Sequence, residues 1–249
     1  MSPRRVRILV FLSIPLILSA VYCWFFGFQT ATVLMLRYKL RGLPDAQKKP
    51  VPLADLSVSP QAHEKASNFG YEYELPWDDV DEQKSKTTGT IRLTAFRSGN
   101  AFWFSCFPPK NFVNVFMAET KLDPTSFRQV YGEEAASSDY GFHASMLRLT
   151  PSDLSPFMLR PEAARDATLL VVKAIAIPPA KSGIFSIQTG YFRGFQFEDP
   201  RTHPKRVSDE LYAEDGGIDV IFFQKQNGTG PFITQPEINR ILGSIRRVD

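Results

Sequence analysis

The sequence has only two cysteines, Cys23 and Cys106. One lies in an apolar run and the other in a polar stretch, so no disulfide framework holds the fold together. Histidine is equally scarce. His63, His143 and His203 are too far apart to form the local ligand pairs that mark zinc sites. No glycine-rich approach precedes Ala180-Lys181-Ser182-Gly183, so this tetrapeptide does not read as a phosphate loop. No internal repeat and no low-complexity tract is present. These absences give no metal centre and no nucleotide motif, and no cofactor is expected.

Charge is missing altogether from Ile8 to Leu36. At about 1.5 Å of rise per residue, roughly 20 residues of helix cross the hydrocarbon core of a bilayer. The most apolar part, 8–28, is long enough. A cleaved signal has an apolar region of about 7–15 residues followed by small residues. This run is longer, and Leu18-Ser19-Ala20 falls in its middle. Residues 1–41 therefore read as an uncleaved single-pass anchor that meets the lipid bilayer through 8–28. An amphipathic continuation, Val33 to Leu40, extends it along the interface.

Both flanks of the span are basic, and counting alone favours a cytoplasmic domain. Arg4, Arg5 and Arg7 abut the span in the manner of an export signal, however, and this places the domain outside the cytoplasm, in the periplasm or exterior. The net charge of +3 misleads. Eight Lys/Arg against Asp45 fall in residues 1–49, leaving 21 basic and 25 acidic side chains beyond them. An acidic domain repels phosphate on balance, so no nucleic acid is expected as a partner.

Residues 42–65, with Pro44, Pro50, Pro52 and Pro60, read as a stiff tether, and 66–249 as a single domain. Tyr71, Tyr73 and Leu75 alternate with Glu72 and Glu74, which predicts a strand over Asn68–Leu75. A second strand, Thr90–Arg97, turns at Ser98-Gly99-Asn100 into the aromatic strand Ala101–Phe107. Asp123-Pro124 and Thr150-Pro151-Ser152-Asp153 open short helices, and Pro161-Glu162 opens a longer one to about Ala174. Strands return over 183–196, Arg206–Tyr212 and Ile218–Gln224. Thr234-Gln235-Pro236-Glu237 is a capping box before a last helix with Ile238, Ile241, Leu242 and Ile245 on one face. The expected fold class is α+β: a transmembrane helix, then a twisted antiparallel sheet with helices packed on it.

Two stretches carry a resemblance. Tyr71-Glu72-Tyr73-Glu74-Leu75-Pro76-Trp77 near the start and Ile238-Asn239-Arg240-Ile241-Leu242-Gly243-Ser244-Ile245 at the end are similar to the ends of the small photosystem-accessory PsbP-like and Mog1-like domains. The resemblance implies a binding or assembly role without catalysis, and it transfers no functional residue.

Among reactive side chains, Cys106 as nucleophile with His143 as base is the one catalytic pairing to weigh. Cys106 sits in an aromatic strand, where a buried cysteine behaves as a small hydrophobe. Asp78, Asp79, Asp81 and Glu82 gather carboxylates, but calcium-loop spacing and glycine are absent, and no metal is expected. Arg201, Lys205 and Arg206 form a basic loop that suits an acidic partner or headgroups. The sequence thus reads as a membrane-anchored, non-enzymatic binding or assembly domain with a protein partner in the envelope. The alternatives are a hydrolase or thiol-dependent enzyme using Cys106 and His143, and a carrier of a small apolar ligand lined by some of the 21 phenylalanines.

Overall fold

The structure is a computed structural model that describes residues 29–61, 64–155, 160–177, 183–202, 205–225 and 227–248. The expected span at 8–28, Cys23, His63, Lys181 and His203 lie outside them. No helix among the described residues is long and apolar enough to cross a membrane.

In chain order the elements are α1 (Gln29–Arg41), β1 (Val51–Pro52), β2 (Lys65–Asn68), β3 (Tyr71–Glu74), β4 (Lys86–Thr88), β5 (Ile91–Ala95) and β6 (Asn100–Phe107). Four helices follow: α2 (Asn111–Thr120), α3 (Pro124–Tyr131), α4 (Glu133–Ser137) and α5 (Asp139–Arg148). Then come α6 (Arg160–Ala176), β7 (Ile184–Gln188), β8 (Arg193–Phe197), β9 (Arg206–Ala213), β10 (Gly216–Gln224), α7 (Gln235–Ser244) and β11 (Arg246–Arg247).

These elements form two compact units. The first joins the chain through Gln47 to Leu149–Ala176. Val33 and Leu40 of α1 are buried against Ala46, Leu154, and Ala163 and Leu170 of α6. Lys173 is buried too, its amine donating to the carbonyl of Leu149 at 2.7 Å. The opposite side of α1 leaves Leu34, Met35 and Tyr38 exposed. Within this unit the apolar side of α6 finds its partners in α1, Ala46 and Leu154.

The second unit holds Lys48–Arg148 and Ile177–Asp249. Its eight-stranded sheet runs β1-β7-β8-β9-β10-β6-β5-β4, and a smaller sheet runs β11-β3-β2. The class is α+β, as the sequence predicts, but the large sheet is mixed. β1 lies parallel to β7, with Val51 opposite Phe185 and Pro52 opposite Ser186. It is an edge strand, where a proline costs least. Part of the stretch read as a stiff tether is held against the second unit. Asn239 Nδ2 donates to the carbonyls of Asp55 and Ser57 at 2.9 and 2.7 Å, and Arg240 Nη1 to that of Ser59 at 3.1 Å.

Strand alternation gives the sheet two different faces. β6 sends Phe102, Phe104 and Cys106 one way and Trp103, Ser105 and Phe107 the other. The first face meets the small sheet and α7. Tyr73 stacks on Phe104 with centroids 4.3 Å apart, and Ile238, Ile241, Leu242 and Ile245 are buried there. Glu237 Oε2 accepts from Thr234 N at 2.7 Å, closing the predicted capping box. The strand predicted over Asn68–Leu75 is instead a hairpin, turned at Phe69 (φ 55°) and Gly70 (φ 77°). Two successive positive φ values suit the twist of a tight hairpin.

The second face is covered by α2–α5. Phe107 meets Phe112 edge-on at 5.2 Å, and Tyr140 stacks on Phe195 at 5.3 Å. Gly217 lies under the Phe107 ring, where a Cβ would stand 2.0 Å from Cε2, so any side chain there would have to displace the ring. The sequence signals α3 through its Asp123 cap, whose carboxylate accepts from Thr125 N and Ser126 N. It does not signal α2. That helix follows Lys110 in the left-handed region, and its Val113 N–H donates to Asp139 Oδ1 at 3.0 Å. The cap comes from the start of α5, a contact that only the folded chain makes.

Candidate functional site

Two cavities open side by side on the second unit. The first, of about 600 Å³, is lined by Lys110, Asp139, Tyr140, Tyr191, Tyr212 and Glu214 among others. The second, of about 680 Å³, has Leu53, Leu56, Val58, Ile187 and Leu242 in its wall. Tyr140, Gln188, Thr189, Gly190 and Arg193 line both, so the cavities form one groove around the turn between β7 and β8. Strand pairing fixes this shared wall, with Arg193 opposite Gln188 on β7 and Tyr212 on β9. The Arg193 guanidinium lies 4.2 Å over the Tyr140 ring, which also stacks on Phe195 and meets Tyr212 edge-on at 6.1 Å. A cation on an aromatic face gains about 0.5–1 kcal/mol at an exposed site. Arg193 has no carboxylate partner among the described residues.

Beneath the groove lies a cluster of ionisable groups that the sequence did not single out. Glu210 and Asp219 stand directly opposite each other on β9 and β10. Tyr212 donates its hydroxyl to Glu210 Oε2 at 2.8 Å, and His143 Nε2 is 3.8 Å from the same oxygen. His143 Nδ1 lies 3.0 Å from the Asp139 carbonyl. A carbonyl only accepts, so Nδ1 carries the proton. Burial pushes Glu210 up to about 7, and burial with the charge of Glu210 pushes Asp219 up to about 7. Burial pushes His143 down. Below neutrality Glu210 and Asp219 are protonated, and burial favours the neutral imidazole beside them. On the other face, Asp209 is fully buried opposite Val220, and neither of its carboxyl oxygens has a hydrogen-bond partner among the described residues. Burial pushes it well above the usual carboxylate range.

The candidates named from sequence are not brought together. Cys106 packs on the face that carries Phe104 and Ile218, while His143 sits among Phe112, Phe142 and Tyr212 on the opposite face. Burial and the nearby Asp219 push the Cys106 thiol up to about 12, so it is not a thiolate. Arg201 is engaged with Asp199, Nη2 to Oδ2 at 2.7 Å, and Lys205 and Arg206 are exposed at the start of β9. None of the three lines the groove. The acidic turn serves local structure. Asp79 Oδ2 accepts from Ser98 N at 2.6 Å, Asp81 pairs with Lys84, and Glu82 pairs with Arg92. No group of side chains able to hold a metal ion occurs among the described residues.

Sequence reasoning missed Tyr140, Arg193, Glu210, Asp209 and Asp219. One signal was available: carboxylates inside apolar strands, as in Val207-Ser208-Asp209-Glu210-Leu211 and Ile218-Asp219-Val220. The residues define an α+β domain with an open groove over a buried acid cluster. Comparison with known protein families, curated proteins and solved structures finds no match.

Proposed function

We propose that this chain is a membrane-anchored, non-enzymatic binding or assembly domain facing the exterior or periplasm. Residues 8–28 would hold it to the bilayer, and the groove at Tyr140 and Arg193 would receive its partner. The groove is the observation that carries the reading. Its two cavities fall within the roughly 300–1,000 Å³ of ligand sites, and no cysteine or histidine among the described residues lines either. The anchor rests on the uncharged run from Ile8 to Leu36. Helix α1 supports it, since exposed Leu34, Met35 and Tyr38 lie between Lys39 and Arg41 on the helix surface. Apolar side chains flanked by cations suit a helix resting among headgroups. The likeness to PsbP-like and Mog1-like domains also points to binding. Their two quoted stretches meet here, Arg240 pairing with Glu74 at 2.6 Å.

Two experiments test the reading. An export-dependent phosphatase fused after Asp249 should be active, and a cytoplasm-dependent fluorescent protein there should be dark; the reverse pattern sinks the orientation. Gly190→Trp fills the shared wall of the groove. A Cβ at Gly190 meets nothing within 4 Å, so the variant should fold. It should abolish capture of the partner with an unchanged thermal midpoint, and unchanged capture removes the groove from the function. The second reading, a carrier of a small apolar ligand, is favoured by Leu53, Leu56, Val58, Ile187 and Leu242 in the second cavity. The enzyme reading gains nothing from the placement of Cys106 and His143.

A further inference from the structure

The second cavity is chemically lopsided. Among the described residues that line it, Arg193 alone is charged. Pro52, Leu53, Leu56 and Val58 come from the chain pinned beside α7, Ile187 from β7 and Leu242 from α7. Leu56 and Val58 are 75% and 59% exposed, so they offer apolar surface to an occupant. Among the described residues, the carboxyls of Asp139 and Glu214 and the amine of Lys110 line the first cavity, so its wall is mixed in charge. An anion at the mouth of the second cavity meets Arg193 as its one charged neighbour among the described lining residues. An apolar tail attached to it finds its cover in the second.

We propose that the second cavity binds a single-chain amphiphile with a monoanionic head, the chemistry of a fatty carboxylate. The head meets the Arg193 guanidinium that Tyr140 holds in place, and the chain runs past Ile187 toward Leu53, Leu56 and Val58. This inference rests on the groove being a binding site and names the class of its ligand. A guanidinium takes a carboxylate through a bidentate fork. Each methylene that the wall buries fully tightens binding about fourfold. A cationic head of the same chain length is repelled by Arg193, and an uncharged alkane leaves the guanidinium without a partner.

The test uses the full chain in phosphatidylcholine nanodiscs and a twelve-carbon carboxylate bearing a diazirine near its tail. A matching diazirine quaternary ammonium serves as the opposite-charge probe, and labelled peptides are mapped by mass spectrometry. The carboxylate probe should label 52–58, 186–188 and 239–243. Dodecanoate should compete for this labelling, and dodecyltrimethylammonium should not. Arg193→Gln should lower the labelling at least tenfold, because a hydrogen bond to a charged group is lost, while the thermal midpoint falls by no more than about 4 °C through loss of the contact with Tyr140. Leu56→Asn, at an exposed position, should lower it several-fold. Equal labelling by the ammonium probe, labelling indifferent to Arg193→Gln, or labelling confined to residues 8–41 overturns the proposal. If labelling fails while Gly190→Trp still abolishes capture of an envelope protein, the groove remains a binding site and its ligand is macromolecular. If both fail, the groove reading falls as well.

Discussion

Glu210 and Asp219 face each other across the β9–β10 ladder, and both carboxyls stay protonated to about pH 7. In the unfolded chain such groups ionise near pH 4. Between about pH 4 and 7 the folded chain thus binds more protons than the unfolded one, and this pair makes stability fall as pH rises. The loss is complete above about 7. His143 acts in the opposite sense: burial favours its neutral form, so it costs stability as pH drops below about 6.5.

Glu210→Gln keeps an acceptor for the Tyr212 hydroxyl and removes one of these protons. Its unfolding free energy relative to the native chain should rise by on the order of 1–3 kcal/mol between pH 5 and pH 8. Urea titrations of the full chain at pH 5, 6, 7 and 8 measure the difference. Two parallel pH profiles would contradict the assignment.

Asp209 presents a different case, since its buried carboxyl, at a strand position opposite Gln196 and Val220, has no hydrogen-bond partner among the described residues. Leaving a buried polar group unsatisfied costs about 1–3 kcal/mol. Asp209→Val should raise the unfolding free energy by about that amount, with the gain growing toward higher pH as ionisation of the native carboxyl is avoided. A loss of stability at pH 8 would show that the carboxyl is paired in solution.

Cys106 should be inert. In a chain carrying Cys23→Ser it is the one remaining thiol, half-buried and pushed up to about 12. Its reaction with an aromatic disulfide reagent at pH 8 should be at least a hundredfold slower than that of a free thiol, recovering on unfolding in urea. Prompt reaction in the folded chain would reopen the nucleophile reading.

The parts of the fold visible in the sequence are those whose determinants are local. Asp123, Thr150 and Thr234 cap their own helices, Ser98-Gly99-Asn100 turns its own hairpin, and Ile238, Ile241, Leu242 and Ile245 share a face by spacing alone. What escaped depends on distant residues. Helix α2 takes its cap from Asp139, 26 positions later. Tyr71 reads as part of one long strand because Phe69 fits the apolar alternation, yet Phe69 occupies a turn. The groove was illegible for the same reason: Tyr140, Arg193 and Leu56 converge from three separate segments. Cys106 and His143 showed the converse, being attractive by residue type and separated by the thickness of a sheet.

The clasp between the chain at Asp55–Ser59 and helix α7 has a mechanical consequence. A pull on the N-terminal side of the second unit reaches Val51 and Pro52 first, then the bonds from Asn239 and Arg240 to the carbonyls of Asp55, Ser57 and Ser59. Those bonds hold Leu53, Leu56 and Val58 in the groove wall. Tension along the chain would therefore peel away one side of the groove before it loaded the central strands, and the groove's occupancy would become a gauge of that load.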